Sequence, residues 1–197
     1  QAYNGDPDFV DVPLEQLLNK DYAAQLCERI NMDKATPPSV TGGLDGGTVY
    51  LTTADRWGNM VSLIHSIFSV YGSGVTIPPY GMILHNRGVA FSLDEDHPNV
   101  VAPRKRPFHS IIAGMVMQSG QPLMTFGNMG GSVQPETHAQ HMVNVIDHGM
   151  NLQMTTDVAR FTHSQSRDLL SLERDLYSLV GASLQARGHN VRPVDGG

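Results

Sequence analysis

The sequence predicts an α+β fold, because strand patterns and helix patterns occupy separate stretches of the chain. Alternating apolar and polar residues recur in hairpin pairs between positions 48 and 127. From 134 to 187 the period changes to that of helices, with recognisable starts and stops. Hairpins followed by grouped helices imply sheets covered by helical layers.

Each element has its own local reason. Asp6-Pro7-Asp8 is turn chemistry, and Val12-Pro13-Leu14 opens a short helix ending near Leu18. Asp21 is placed to cap a second helix, from Tyr22 to about Ile30, with Leu26 and Ile30 on one face. Residues 34–47 hold two prolines and four glycines and read as an exposed linker. Thr48–Asp55 and Met60–Phe68 then form a hairpin, and Met82–Asn86 is a short strand after a Gly/Pro loop. Ser110–Gln118 and Pro122–Gly127 make a second hairpin across Ser119-Gly120. Gln134-Pro135-Glu136 opens a helix that runs to about Asp147 and is ended by Gly149. Further helices cover Gln153–Ala159 and Arg174–Arg187, the latter stopped by Gly188, while Leu169–Glu173 and Asn190–Pro193 read as edge strands. There is no internal repeat.

Composition excludes several classes. A net charge of −6 argues against a nucleic-acid surface, and Arg104-Lys105-Arg106 is too short a basic run to overturn that. No stretch approaches the ~18 apolar residues of a membrane span. Cys27 is the single cysteine, so no intrachain disulfide forms and the compartment stays open between cytoplasmic and periplasmic or secreted. His138 and His141 stand at i, i+3, but no Cys, Asp or Glu completes a ligand set, so they read as a solvent-facing helix surface and no metal is expected. Met115, Met117, Met142, Met150 and Met154 read as adaptable core filler. Trp57, in a hairpin turn, points to contact with another chain, and a homo-oligomer fits that reading.

Two junctions carry chemistry. Gly46-Gly47-Thr48 lies where the linker stops and a strand begins. It is either simply a strand start or a processing site. If the Gly47–Thr48 bond is cut, the Thr48 hydroxyl lies beside a free α-amine of pKa near ~8, a general base that an ordinary threonine lacks. Gly127-Asn128-Met129-Gly130-Gly131 lies between a strand end and a helix start. It is either a tight turn or a set of backbone N–H donors for an oxyanion.

In order, Gly46-Gly47-Thr48, Gly58-Asn59, Gly72-Ser73-Gly74-Val75, Gly81-Met82-Ile83-Leu84, Arg104-Lys105-Arg106-Pro107, the 127–131 glycines and Ala159-Arg160-Phe161 resemble the small subunit of the γ-glutamyltranspeptidase family. That family belongs to the N-terminal nucleophile hydrolases. The resemblance covers nearly the whole chain, with residues 1–47 similar to the tail of the large subunit and 48–197 to the catalytic small subunit. It implies a four-layer αββα sandwich completed by the large-subunit segment of the same precursor, so the chain is expected to be an excerpt of a longer protein. It also implies autocatalytic cleavage before Thr48, with no cofactor.

For the site, the resemblance implies that Thr48 is the nucleophile, that the Ser66 hydroxyl orients it, and that Gly130 and Gly131 form the oxyanion hole. His109 and Ser110 fall where the family has two serines on the substrate's α-carboxylate. The family's α-amine clamp of Asn, Gln or Glu, and Asp falls on Phe68, Arg87 and Ala90, so no carboxylate remains to pair an ammonium. Arg87 would repel one and instead suits a carboxylate held bidentately. The expected function is a γ-glutamyltransferase or glutathione hydrolase-like amidase acting on a small γ-glutamyl or acyl amide. An acylase for non-amino, dicarboxylic acyl amides and a catalytically silent binding or assembly module are the alternatives.

Overall fold

The structure, a computed structural model, describes residues 5–35 and 47–195. In chain order these form α1 (Leu14–Leu17), α2 (Lys20–Glu28), β1 (Gly47–Ala54), β2 (Met60–Phe68), β3 (Thr76–Ile77), β4 (Met82–Ile83), β5 (Gly114–Gln118), β6 (Gln121–Phe126), α3 (Gln134–Ile146), α4 (Leu152–Asp157), β7 (Phe161–Ser164), β8 (Leu169–Glu173), α5 (Arg174–Ala186) and β9 (Val191–Val194). Strands and helices are mixed as the sequence predicts. Most of the expected linker, residues 36–46, lies outside the described residues.

The β1–β2 hairpin turns where the Asp55 carboxylate accepts the Trp57 and Asn59 amides at 2.9 and 3.0 Å, and Gly58 takes a φ of +86°. Trp57 is exposed there, with the Arg56 guanidinium over its ring. The β5–β6 turn places both Ser119 and Gly120 at positive φ, as a two-residue hairpin requires. Strand alternation gives the first hairpin two unlike faces. Thr48, Tyr50 and Thr52 share one face with Ser62, Ile64 and Ser66, and that face meets β6. The Thr52 and Thr125 hydroxyls bond, and Ser62 Oγ donates to the Phe126 carbonyl at 3.5 Å. The opposite face, with Val49, Leu51, Val61 and Leu63, is exposed.

Several expectations are corrected. Asn19, not Asp21, caps α2: its side chain accepts from the Asp21 and Tyr22 amides, and Lys20 is already helical. The strand expected at Ser110 begins only at Gly114, because the Ile112 amide turns to the Gln134 side chain instead of the ladder. The strand expected through Asn86 ends at Ile83, where the Leu84 carbonyl accepts from Ser73. Asn151 caps the start of α4, and the helix expected over Gln153–Ala159 ends early, at Asp157, where Val158 turns extended. β8 is the centre of a three-stranded sheet, antiparallel to β7 and parallel to β9, with α5 as the crossover. Its interior Leu172 and Val191 are buried. Met115, Met117 and Met154 are exposed rather than core filler. His138 is buried against the Phe126 ring, edge to face with centroids 4.9 Å apart, rather than facing solvent.

The turn at 5–10 is fastened to the middle of the chain. The buried Asp6 carboxylate accepts from the Arg106 amide at 2.7 Å and from its guanidinium, and Asp8 accepts from the same guanidinium. Arg106 holds Asp6 well below the ordinary carboxylate range, chiefly through the side-chain bond. A lowered folded value means the stabilisation is fully present above the unfolded value near 3.8 and fades as pH falls below it. We therefore expect Asp6→Asn to lower the melting temperature at pH 7, with the gap to the natural protein closing as pH drops through 4 towards 2. Thermal denaturation across that range checks it; a gap independent of pH would refute the ionic account.

Candidate active site

The site begins where the β1–β2 register breaks. Gly47 opposes Phe68 but Thr48 opposes Ser66, so Ile67 has no partner and the pair carries a bulge. Phe68 takes a φ of +75°, a strained value for an aromatic residue. The bulge sets the end of β2 against a 3-10 turn at Arg87–Ala90. Asn86 fixes the junction: its side chain accepts the Ser69 amide at 3.0 Å and donates to Ser69 Oγ at 2.8 Å.

This geometry converges on Ser66. Thr48 Oγ1 donates to Ser66 Oγ at 3.2 Å, the Arg87 Nη2 donates to the same oxygen at 2.8 Å, and the Phe68 amide at 3.1 Å. Thr48 itself is half-buried. Arg87 is only 1% exposed, and its guanidinium carbon lies 5.2 Å from the centre of the Phe68 ring. Among the described residues it makes no ion pair, and its buried Nη1 has no hydrogen-bond partner. Burial pushes its pKa down, yet a guanidinium stays charged. A hydrogen bond and a cation–π contact of about 2 kcal/mol offset only part of the several kcal/mol that desolvating a charge costs. The position therefore favours an incoming anion.

The glycine loop meets the same hairpin. A Cβ at Gly127 would come within 2.5 Å of the Tyr50 ring, so glycine there lets the loop start against the strand that carries Thr48. Gly130 and Gly131 take φ of +128° and +58°, and Gly131 enters the turn that leads into α3. On the other side, Asn128 and Met129 line a cleft of about 180 Å³ with Arg160, Phe161 and Glu173. Arg160 pairs with Glu173 there at 3.0 Å.

His109 is exposed and its Nδ1 lies 2.7 Å from the Pro107 carbonyl. A carbonyl only accepts, so Nδ1 carries the proton, and Nε2 can donate to a carboxylate only in the doubly protonated ring. Ser110 follows, half-buried. Ala90 offers no side-chain hydrogen bond; its carbonyl accepts from the buried Asn99 at 2.8 Å. His138 and His141 are both pushed below their ordinary value, chiefly by burial. No group of three or more His, Cys, Asp or Glu able to hold a metal occurs among the described residues, and no helix among them is long and apolar enough to cross a membrane. The sequence reading missed Asn86, whose only signal was an amide side chain beside Arg87 in a loop. It also missed Asp6, a buried acid hidden in what reads as turn chemistry.

Known proteins share both the sequence pattern and the fold. The gamma-glutamyltranspeptidase family profile matches residues 1–196. The glutathione hydrolase-like YwrD proenzyme of Bacillus subtilis is 38% identical over 193 residues, covering 96% of this chain and 36% of that protein. The oxamate amidohydrolase proenzyme of Klebsiella pneumoniae is 36% identical, covering 96% and 37%. The crystal structure of cephalosporin acylase from Bacillus halodurans superposes with a TM-score of 0.88 at 38% identity, over 99% of this chain and 35% of that one. The chain thus spans little more than a third of the length of these relatives.

Removing the shared acceptor tests the network. Ser66→Ala strands Arg87 Nη2 and the Phe68 amide, and should destabilise by about 1–3 kcal/mol. Ser66→Thr keeps the oxygen and should recover most of that, as read by urea unfolding. An unchanged Ser66→Ala midpoint would show that the bonds carry little.

Proposed function

Because this chain belongs to the γ-glutamyltranspeptidase family of N-terminal nucleophile hydrolases, we propose that it is the nucleophile-bearing part of an amidase working by acyl transfer through Thr48. The observation that carries this reading is the 3.2 Å bond from the Thr48 hydroxyl to Ser66, at the first residues of β1 and beside a register break. Residues 1–47 are then the tail of a large subunit and 48–197 the catalytic part. The partner is the remaining large-subunit segment of the same precursor.

In this scheme, scission of the Gly47–Thr48 bond frees the Thr48 amine. Thr48 Oγ attacks the substrate's amide carbon while that amine accepts the hydroxyl proton. The Gly130 and Gly131 amides stabilise the oxyanion, a role in which one donor is typically worth about 10²–10³ in rate. Collapse expels the amine, which takes the proton from the Thr48 ammonium. Water or an acceptor amine then attacks the Thr48 ester and releases the acyl group. Ser66 orients the hydroxyl through its bond to Thr48. No metal or organic cofactor enters any step.

The acyl group is either γ-glutamyl or a non-amino acyl chain. The buried Arg87, without an ion-pair partner among the described residues, supports the second, since an ammonium beside it is unfavourable by several kcal/mol at an effective dielectric of about 20. Relatives named oxamate amidohydrolase and acylase ACY 1 are in keeping with it.

Thr48→Ala should abolish processing. N-terminal sequencing and intact mass should find a chain beginning at Thr48 in the natural protein, whereas in the variant the bond after Gly47 should stay uncut. An uncut bond in the natural protein would instead favour a silent assembly module.

A further inference from the structure

Arg87 has two arms, and among the described residues only one is occupied. Nη2 is committed to Ser66 at 2.8 Å, the guanidinium carbon lies 5.2 Å from the centre of the Phe68 ring, and Nη1 is buried without a partner among the described residues. The side chain is 1% exposed, and no carboxylate among the described residues neutralises the charge. A desolvated guanidinium with a free donor selects a carboxylate over any neutral or cationic group.

The position of that donor limits what can bring the carboxylate. Nη2 and Thr48 Oγ1 bond the same oxygen, so they lie no more than 6 Å apart. The carbon under attack must come within about 3–3.5 Å of Thr48 Oγ1. A carboxylate oxygen on Nη1 must come within about 2.8 Å of it. Both ends of the acyl group are therefore held in one small region, which a few carbons span and a long-chain acyl group overshoots.

We propose that Arg87 is the specificity determinant of this site, its Nη1 receiving the free carboxylate of a short dicarboxylic half-amide while its Nη2 positions Thr48 through Ser66. The proposal rests on the amidase reading above and names the substrate class for it. Substrate recognition and alignment of the nucleophile then share one side chain. Loss of Arg87 affects acid substrates through both arms and neutral substrates through Ser66 alone.

The test uses the complete, processed protein with anilides of malonic, succinic, glutaric and adipic half-acids, each beside its neutral carboxamide, and reads aniline release. The natural protein should prefer the acid over the carboxamide by about 10²-fold in kcat/KM, because the amide leaves the buried charge unpaired. The preference should peak within the series. Arg87→Gln should bring the acid-to-carboxamide ratio close to one, chiefly by raising KM for the acids, and Arg87→Lys should restore part of it. Equal turnover of acid and carboxamide by the natural protein overturns the inference and leaves the amidase reading standing. That result would mean the protein itself supplies the counter-charge. A ratio that survives Arg87→Gln also overturns it. Failure to release aniline from any of these compounds, in protein whose Thr48 amine is free and which cleaves γ-glutamyl anilide, overturns the inference and leaves the amidase reading standing; failure on γ-glutamyl anilide as well overturns both. Should Arg87→Gln not fold, the ratio in the natural protein still decides.

Discussion

The close approach of the Tyr50 ring to the backbone at Gly127 is the constraint on which the site depends. Any side chain at 127 would start 2.5 Å from that ring, so only glycine lets the β1–β2 hairpin and the end of β6 meet. Thr52 with Thr125 and Ser62 with the Phe126 carbonyl close the same seam with hydrogen bonds. Two residues before Tyr50 stands Thr48, and three residues after Gly127 the paired glycines begin. One packing contact therefore brings the strand that carries Thr48 against the start of the glycine loop. The fold that holds this seam is shared with the acylase and transpeptidase structures.

The charge arrangement beside that seam is less ordinary. A buried guanidinium is tolerated where carboxylates pair it, yet Arg87 rests on a serine oxygen, an aromatic face and no acid among the described residues. The strained φ of Phe68 is the local cost of laying that ring beneath Arg87. Ser66 accepts from three donors at once, so the neighbour of Thr48 is held in one rotamer. Thr48 and Arg87 are thereby joined through a single oxygen.

Much of this was legible in the sequence, and the rest failed for definable reasons. The hairpins were readable because alternation and the turn residues at 55–59 and 119–120 are local signals. The Thr48–Ser66 contact was implied by the family resemblance, and the structure places the two in register opposition. Strand ends at 86 and 110 were misjudged because distant partners, Ser73 and Gln134, take the backbone groups that the ladder would use. β7 was overlooked because four residues between two short elements carry too little periodicity. His138 looked solvent-facing because its helix gave no sign that Phe126 would cover it. The Asp6–Arg106 clasp, joining positions a hundred residues apart, has no local signature at all.

The hairpins also decide how such a polypeptide behaves in the test tube. Val49, Leu51, Val61 and Leu63 form an oily strip on one of them, and Met115, Met117 and Leu123 another on the second. Bare strips of that kind are adhesive. Prepared by itself, residues 1–197 would clump before any chemistry could be assayed, and co-production with whatever shields those strips becomes a condition for keeping it dispersed.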